Sequence, residues 1–479
     1  MSPYWQNNSC SPFLGPSGSC KLGNLASYAI DVRNPKDAIA GVNFARANNI
    51  RLTIKNTGHD FLGRSSGAGS LALWTHNLRD IEVIKKYKSS ASPYRGPAMR
   101  IGAAIENQDL YAAADAHGYR AVGGSCPTVG ASGGFSQSGG HGPLGSKYGL
   151  GSDQVLEFEV VTAEGKLVVA SPTENSGLYW ALAGGGPGNL GVIMSVTVKV
   201  FPDGPVAGAS FSFANTDDGA FWSAITAWLR HLVVLDAIPG FTSLWAFTAQ
   251  GFALQYATLP EANATQIQVA LAPFLQQVAA LNLTLLSNVT ATNPSFLRHY
   301  SQFATQSYDT NNSIGGRLVS RSAVQTNLPA LVDAMRDIVV NSQAVGGSQI
   351  AGIAINVGHA RVGNKPSSNS VLPAWRDALF TMTIGIPLPQ DADWARISAG
   401  QRQLNVWQDR LRAVTPGGGT YMSEATFDNV NWKEDYFGAN YKRLLSAKTR
   451  YDPDGVFWAN AAVGSDAWKI DDNGRLCRA

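Results

Sequence analysis

The sequence has little charge and no long apolar run, and each shortage excludes a class of protein. Charged residues make up 15% of the 479 residues and the net charge is +3, so the clustered Lys and Arg of a nucleic-acid-binding or membrane-surface protein are not expected. No run of eighteen apolar residues occurs, which argues against a membrane-spanning helix. We therefore expect no nucleic acid and no membrane as partners. Separately from these two arguments, we expect a monomeric chain with a small-molecule partner.

The signatures of several enzyme classes are also missing. The seven histidines are scattered, and no Cys-x-x-Cys or His-x-x-x-His spacing is present to build a metal site, so we predict no metal. No Gly-x-Gly-x-x-Gly follows the first predicted strand, which leaves a nicotinamide-binding Rossmann site unsupported. The stretch GGFSQSGG does not match the Gly-x-Ser-x-Gly elbow of a serine hydrolase.

Cysteine is scarce, and its placement gives one indication of the compartment. Cys10 and Cys20 lie in a Pro/Ser/Gly-rich segment and are separated by a loop that a disulfide closes easily, so we predict this pairing and an oxidising compartment. Cys477 is predicted to be a free thiol near the C-terminus. The start MSPYWQNNSC lacks the apolar core of a signal peptide. We expect a secreted protein in a mature or trimmed form, with an intracellular protein as the alternative.

Glycine, by contrast, is abundant, and its densest stretch spans residues 122–149, VGGSCPTVGASGGFSQSGGHGPLGSKYG. Glycine lets the backbone come into contact with a bulky ligand, so this density predicts a chain wrapped around a cofactor. A flexible linker is the alternative interpretation. A linker would not carry Cys126, Pro127, Phe135 and Tyr148 among its glycines.

A second glycine-bearing stretch, RLTIKNTGHDFLGRSSGAG, covers residues 51–69. Leu52 and Ile54 alternate with polar residues as in a strand, and the pattern breaks at Thr57-Gly58-His59-Asp60. Successive backbone N–H groups in such a turn form an anion-binding nest, which suits a pyrophosphate.

Four segments together resemble a known family: KNTGHDFLGRSSGAG, GGSCPTVGASGGFSQSGGHG, LYWALAGGGPGNLGVIMSVTVKVFP and YDPDGVFWANAAVGS. In order and spacing they are similar to the vanillyl-alcohol-oxidase, or PCMH-type, FAD-linked oxidases. The similarity is to the berberine-bridge-enzyme-like branch, including fungal isoamyl alcohol oxidase-like proteins. The resemblance implies an α+β, two-lobed PCMH-type FAD-binding fold, with a substrate domain made of an antiparallel sheet and helices.

The periodicity of the chain agrees with three regions. Residues 1–204 mix strands and helices, among them a helix in PKDAIAGVNFARAN and a hairpin turning at Glu164-Gly165, and are predicted to form the FAD-binding domain. Residues 205–415 alternate long helices with strands, as in a sheet covered by helices on one face, and are predicted to form the substrate-binding domain. Residues 416–479, after a triple-glycine break, are predicted to return to the FAD domain.

The resemblance also assigns residues to the cofactor. His59 and Cys126 match the two positions through which the branch attaches FAD covalently, His to the 8α carbon and Cys to C6 of the ring. For either residue alone a structural role would be the safer interpretation, but both lie in matching motifs, and the resemblance therefore implies that both attach FAD. Other positions expected against FAD are Asn56, Thr57, Gly58, Asp60, Gly123, Thr128, Val129, Gly130, Gly133, Gly134, Gly140, His141, Tyr148, Gly191, Val192, Asn440 and Tyr441.

Hydride removal from carbon requires a side chain that takes the proton of the neighbouring hydroxyl or amine. In TYMSEATF, Tyr421 matches an aromatic residue that the family places near the flavin, but the usual Asn two positions later is replaced by Ser423, followed by Glu424. Tyr421 and Glu424 are therefore both candidates for the base, with an inward-facing Tyr and a solvated Glu as the alternative. His141 is expected near the flavin or substrate edge, or to be an ordinary packing residue.

The oxygen reaction is expected to depend on Val129, the third residue after Cys126. In the branch that the chain resembles, a shorter β-branched residue at this position goes with oxidases and a longer one with dehydrogenases. We therefore expect an FAD-dependent oxidase that acts on a CH–OH group and reduces O₂ to H₂O₂. A biosynthetic flavoenzyme that catalyses oxidative cyclisation or desaturation of a secondary metabolite is the alternative. A non-catalytic protein with a degenerate flavin site is a third, against which His59 and Cys126 argue.

Overall fold

The computed structural model describes residues 9–89, 92–306, 311–471 and 475–479. Residues 1–8, on which the interpretation of the N-terminal start depends, lie outside this part of the chain. Cys10 and Cys20 form a disulfide, which confirms the predicted pairing. Cys477 carries a free thiol, as predicted.

The N-terminal region begins with a small parallel sheet. Strands β1 (Tyr28–Asp31), β2 (Leu52–Lys55) and β3 (Leu71–Trp74) are ordered β1-β3-β2. The predicted helix is present as Pro35–Ala47, and Asn34 caps it by accepting a hydrogen bond from the N–H of Lys36. Because β2 ends at Lys55, the Thr57–Asp60 turn follows directly from the end of a strand in the sheet.

A second, antiparallel sheet completes this layer. Its strands are β4 (Ile81–Ile84), β5 (Ala98–Gly102), β6 (Tyr119–Ala121), β7 (Val155–Val161), β8 (Leu167–Ala170) and β9 (Val192–Pro202). The order is β4-β5-β9-β7-β8, and β6 also pairs with β9. The predicted hairpin joins β7 to β8, and Gly165 adopts φ +69° at its turn. Helices Asn107–Asp115, Gly145–Tyr148, Gly151–Gln154 and Ser176–Leu182 connect these strands.

The middle of the chain forms one seven-stranded antiparallel sheet. Its strands are β10 (Val206–Ala214), β11 (Thr242–Thr248), β12 (Gly251–Pro260), β13 (Leu285–Asn293), β14 (Asn312–Ser320), β15 (Gln349–Ala354) and β16 (Ala378–Pro387), in the order β13-β10-β12-β11-β15-β16-β14. The intervening helices are Asp218–Asp236, Ala264–Ala280, Phe296–His299, Arg321–Thr326, Leu328–Val340, His359–Val362 and Trp394–Val414.

The two faces of this sheet have different neighbours. The long helices share one apolar core with the sheet, in which Trp228, Phe274 and Trp407 pack against side chains such as Trp245. A second core joins Tyr256 and Ile353 of the sheet to Leu144 and Leu150 of the glycine-rich stretch. The sheet therefore has helices on one face, and its other side meets the glycine-rich stretch.

The C-terminal segment returns to the N-terminal core. It contains helices Trp432–Phe437 and Tyr441–Tyr451, and its strands β17 (Trp468–Ile470) and β18 (Leu476–Arg478) pair antiparallel. Tyr436, Phe437 and Leu444 pack in the same core as Leu52 and Val196. The exact domain limits at residues 204 and 415 stay predictions. Short helical turns lie at Pro12–Leu14, Ala131–Phe135, Tyr300–Ala304, Gln343–Val345, Pro373–Arg376, Met422–Glu424, Gly438–Asn440 and Ser465–Ala467.

Candidate active site

One open cavity lies where these three regions meet, and it has about 1370 Å³ of free space. Its wall is formed by the loop after β2, the glycine-rich stretch and the Pro187–Ile193 segment. One residue of β15, the Met422–Glu424 turn and Tyr421, which precedes that turn, also contribute. Fourteen of the sequence-predicted site residues line it: Asn56, Thr57, Gly58, His59, Asp60, Cys126, Val129, Gly130, Gly133, Gly134, His141, Gly191, Tyr421 and Glu424.

His59 and Cys126 approach each other around Thr128. The hydroxyl oxygen of Thr128 lies 2.8 Å from Nε2 of His59 and 3.8 Å from Sγ of Cys126. Burial lowers the pKa of His59, so at neutral pH the imidazole is uncharged and keeps a nitrogen lone pair. The cavity thus has two nucleophilic side chains, from two distant loops, on one wall.

A carboxylate and an imidazole form the second polar group of the cavity. Nε2 of His141 lies 3.0 Å from Oε1 of Glu424, and both side chains are largely buried. Within the described part of the chain, Oε2 of Glu424 and Nδ1 of His141 are buried without a hydrogen-bond partner. Such atoms are uncommon in folded proteins, and here they leave the pair with unused hydrogen-bonding capacity toward a bound molecule.

Tyr421 lies beside this pair, but its phenol is protonated and so is not ready to accept a proton. Its hydroxyl lies 3.2 Å from Oγ of Ser138, which accepts a hydrogen bond from Ser423 at 2.8 Å. Burial, with a smaller contribution from Glu424, raises the pKa of Tyr421 to about 12. The phenol therefore stays protonated at neutral pH and acts as a hydrogen-bond donor, which favours Glu424 over Tyr421 as the base.

Aromatic packing fixes this corner of the cavity. The ring of His141 meets the ring of Tyr421 edge-on at a centroid distance of 4.9 Å and lies 5.8 Å from that of Trp375. Trp375 and Tyr421 are themselves 5.5 Å apart. Because the three rings wedge against one another, the imidazole has little freedom to turn away from Glu424.

Four predicted cofactor residues lie behind the wall. Thr128 contacts His59, and Val192 begins β9 in the buried core. A Cβ atom at Gly123 would lie 2.7 Å from both Asn107 and Tyr111, and one at Gly140 would lie 2.8 Å from Phe135, so these two glycines serve close packing. These four residues affect the cavity only indirectly, by supporting the backbone that forms its wall.

The structure does not bring Tyr148, Asn440 or Tyr441 to the cavity wall. The ring of Tyr148 stacks on Phe201 at 3.8 Å. Asn440 donates hydrogen bonds to the carbonyls of residues 370 and 371, and the hydroxyl of Tyr441 lies 3.4 Å from Asp466. All three have structural partners, so we do not carry them into the mechanism.

Several lining residues escaped the sequence reasoning. Arg64 is buried, lines the cavity, and donates hydrogen bonds to the carbonyls of Asn460 and Ala461 at 2.9 and 3.0 Å. A signal was available, because Arg64 is the only cation in the GHDFLGRSSGAG segment. Gln137 and Ser125 likewise lie in the glycine-rich stretch. Ile353 of β15 had no local signal, since it reaches the cavity only through the docking of the middle sheet.

The lining suits a large planar heterocycle with an anionic tail. Gly130 and Gly133 leave no room for a side chain next to Asn56, so backbone forms this part of the wall. The side-chain oxygens of Asn56 and Gln137 are buried without a partner in the described chain and are free to accept hydrogen bonds. The buried guanidinium of Arg64 suits a phosphate. These features fit FAD.

Comparison with known proteins agrees with this fit. A family model described as an FAD binding domain matches residues 26–171, and one described as berberine and berberine like matches residues 419–464. The VAO-type flavoprotein oxidase VAO615 of Thermothelomyces thermophilus is 38% identical over 100% of this chain and 83% of its own length. The chain is a VAO-type flavoprotein of the berberine-bridge-enzyme-like branch. The family resemblance drawn from the motifs is thereby confirmed.

Two further relatives extend the comparison. The bifunctional decalin synthase calF of Penicillium decumbens is 40% identical over 100% of this chain and 83% of that protein. The crystal structure of MtVAO615 from Myceliophthora thermophila C1 superposes with a TM-score of 0.91 at 37% identity, covering 99% of this chain and 86% of that one. The predicted fold class is confirmed, and this VAO-type flavoprotein is an FAD-dependent oxidoreductase.

In the described residues, no group of three or more His, Cys, Asp or Glu side chains is arranged to hold a metal ion. Among the helices of the same residues, none has both the length and the apolar composition needed to cross a membrane.

Proposed function

We propose that this flavoprotein is an oxidase with doubly attached FAD that oxidises a CH–OH group of a small molecule and reduces O₂ to H₂O₂. The observation that carries the proposal is the Glu424–His141 pair in the cavity wall, with one carboxylate oxygen held by the imidazole and the other without a partner in the described chain. This arrangement provides an oriented base for a substrate hydroxyl.

Bound FAD supplies the acceptor for a hydride and the donor of two electrons to O₂. The chain itself has to remove the hydroxyl proton of the substrate, and Glu424 is the group that takes it. His141 orients the carboxylate through Oε1. Tyr421 remains protonated and donates a hydrogen bond within the site, because burial raises its pKa to about 12.

We further propose that His59 and Cys126 both attach FAD. Each attachment would replace the N–H or S–H bond of the residue and one C–H bond of the flavin, in the 8α methyl group for His59 and at C6 for Cys126, with one C–N or C–S bond. The two protons and two electrons released in each case would pass to O₂. The uncharged imidazole of His59 and its position beside Thr128 and Cys126 support this role. Asn56, the Thr57–Asp60 turn and Arg64 would hold the remainder of the cofactor.

One observation favours the alternative function, oxidative cyclisation or desaturation of a secondary metabolite. A relative that is 40% identical over the whole chain is named a bifunctional decalin synthase. The same base would serve this chemistry, since cyclisation and desaturation also require that a proton be removed as a hydride leaves carbon. The two functions differ in the substrate rather than in the position of the acid–base group.

A peroxide-coupled screen of simple alcohols, oligosaccharides and aromatic metabolites tests the proposal. Peroxide formed from an alcohol or a sugar by the wild-type protein, and lost in Glu424→Gln, supports oxidation of a CH–OH group. If these compounds give no peroxide and a polyketide-like or alkaloid-like compound is turned over, the result would support the alternative.

We propose that the protein is secreted, and the Cys10–Cys20 disulfide supports this because cytosolic thiols are kept reduced. Thiol titration of the protein purified from the culture medium and then unfolded without reductant should leave the Cys10–Cys20 pair unreactive. Recovery of the protein only from the cell interior, with both thiols reactive, would contradict secretion.

Val129→Leu should slow the reaction of the reduced protein with O₂ by at least several-fold while leaving substrate-driven reduction nearly unchanged. Val129 lines the cavity, and in a close-packed wall one added methylene fills a space of diatomic size. Stopped-flow mixing of the reduced protein with aerated buffer measures the effect. Val129→Ala is the matched control and should reoxidise no more slowly than the wild type; equal rates in all three proteins would remove Val129 from the oxygen reaction.

A further inference from the structure

The backbone around Cys126 is held by an unusual number of side-chain hydrogen bonds. The carbonyl of Gly124 accepts one from the hydroxyl of Tyr111 at 2.8 Å, and that of Ser125 accepts one from Tyr300 at 2.8 Å. The carbonyl of Cys126 accepts one from the amide of Asn107 at 3.0 Å. Three successive carbonyls of this loop are therefore each fixed by a buried side chain.

Part of this support comes from the middle of the chain. Tyr256 lies on β12, and its hydroxyl is 2.8 Å from Oγ of Ser125. Tyr300 begins the short turn that follows Phe296–His299, and the N–H of Gln306, just beyond it, donates to the same Ser125 carbonyl at 3.1 Å. The loop that carries Cys126 is thus held by side chains from two regions of the chain, and within the described residues Ser125 is held by the middle region.

The phenols are packed so that they remain donors. Tyr300 meets Tyr111 edge-on at a centroid distance of 4.6 Å, and all three tyrosines are almost fully buried. Burial raises the pKa of each of them, and for Tyr300 the nearby Cys126 raises it further. Each phenol therefore stays protonated at neutral pH and can donate a hydrogen bond.

We infer that Tyr256 and Tyr300 are positioning residues for Cys126: by fixing Ser125 from the middle region of the chain, they hold the thiol at the cavity wall in the place where it attaches FAD. The inference rests on the proposed bond between Cys126 and FAD. Bond formation requires the reacting atoms to be aligned at about 3–3.5 Å, and a shift of about 1 Å costs roughly 10²-fold in rate. Two glycines precede Ser125, so the loop depends on these partners for its position.

The test uses His59→Ala, in which Cys126 is the remaining attachment point. Two variants are made in this background: Tyr300→Phe alone, and Tyr256→Phe combined with Tyr300→Phe. Each should slow the accumulation of acid-stable flavin by roughly tenfold or more, because the phenyl ring keeps the packing but loses the hydrogen bond. Tyr179→Phe is the matched control: the hydroxyl of this partly buried residue also donates to a carbonyl, that of Val155 at 2.8 Å, away from the cavity. It should attach flavin as fast as the parent.

A second measurement separates positioning from folding. With His59 present, the same tyrosine variants should keep flavin through His59 and unfold at a temperature similar to that of Tyr179→Phe. Loss of the His59-attached flavin as well, or attachment to Cys126 at the parental rate, would overturn the inference. If His59→Ala with all tyrosines intact already releases its flavin on denaturation, the proposed Cys126 bond itself fails, and this outcome is distinct from an effect of the tyrosines.

Discussion

Replacement of both His59 and Cys126 by alanine should leave no flavin on the chain after acid precipitation. The wild type should give a yellow precipitate and a colourless supernatant, since a covalent bond survives unfolding whereas hydrogen bonds and packing do not. The loss in the double variant is expected to be complete, because these are the two nucleophiles that the structure places together in the cavity wall. Absorbance of precipitate and supernatant measures the distribution.

The single variants are the controls for this experiment. His59→Ala should retain flavin through Cys126, and Cys126→Ala should retain it through His59. A wild-type precipitate without colour would show that neither bond forms. Complete release from one single variant would show that only the residue replaced in it carries the cofactor.

Glu424→Gln should lower the rate of flavin reduction by substrate by roughly 10² to 10⁴-fold, the usual contribution of a positioned acid–base group. The amide keeps the size of the side chain and a hydrogen bond to His141, but it cannot take the proton of the substrate hydroxyl. Anaerobic stopped-flow reduction measures this rate directly. The flavin content and the unfolding temperature should remain those of the wild type, since the change is confined to one atom.

Tyr421→Phe is the matched comparison for Glu424→Gln. Tyr421 lies in the same wall, but it donates a hydrogen bond rather than accepting a proton, so its loss should cost much less than that of Glu424. In the neutral range the pH dependence of reduction should not change in Tyr421→Phe, because a phenol with a pKa of about 12 does not titrate there. A larger loss in Tyr421→Phe than in Glu424→Gln would return the role of base to the tyrosine.

Local patterns predicted much of the fold because they report local requirements of the backbone. The helix Pro35–Ala47, the β7–β8 hairpin and the β2 strand follow from periodicity, capping and turn residues within a few positions of one another. The same patterns could not show that Tyr148, Asn440 and Tyr441 find partners elsewhere. An aromatic or amide side chain is equally suited to a core and to a ligand, and only its neighbours decide between the two.

The sequence by itself indicated the cofactor class, because its two glycine-bearing stretches predict backbone in contact with a bulky ligand and the resemblance of four segments to a known family implies that this ligand is FAD. Only the tertiary structure supplies the observation behind the proposal that Glu424 is the base. Glu424 and His141 are 283 positions apart and become a hydrogen-bonded pair only when the C-terminal segment docks on the glycine-rich stretch. The phenols around Cys126 likewise come from helix, strand and turn in separate regions. Such contacts depend on the packing of whole layers, which no local spacing encodes.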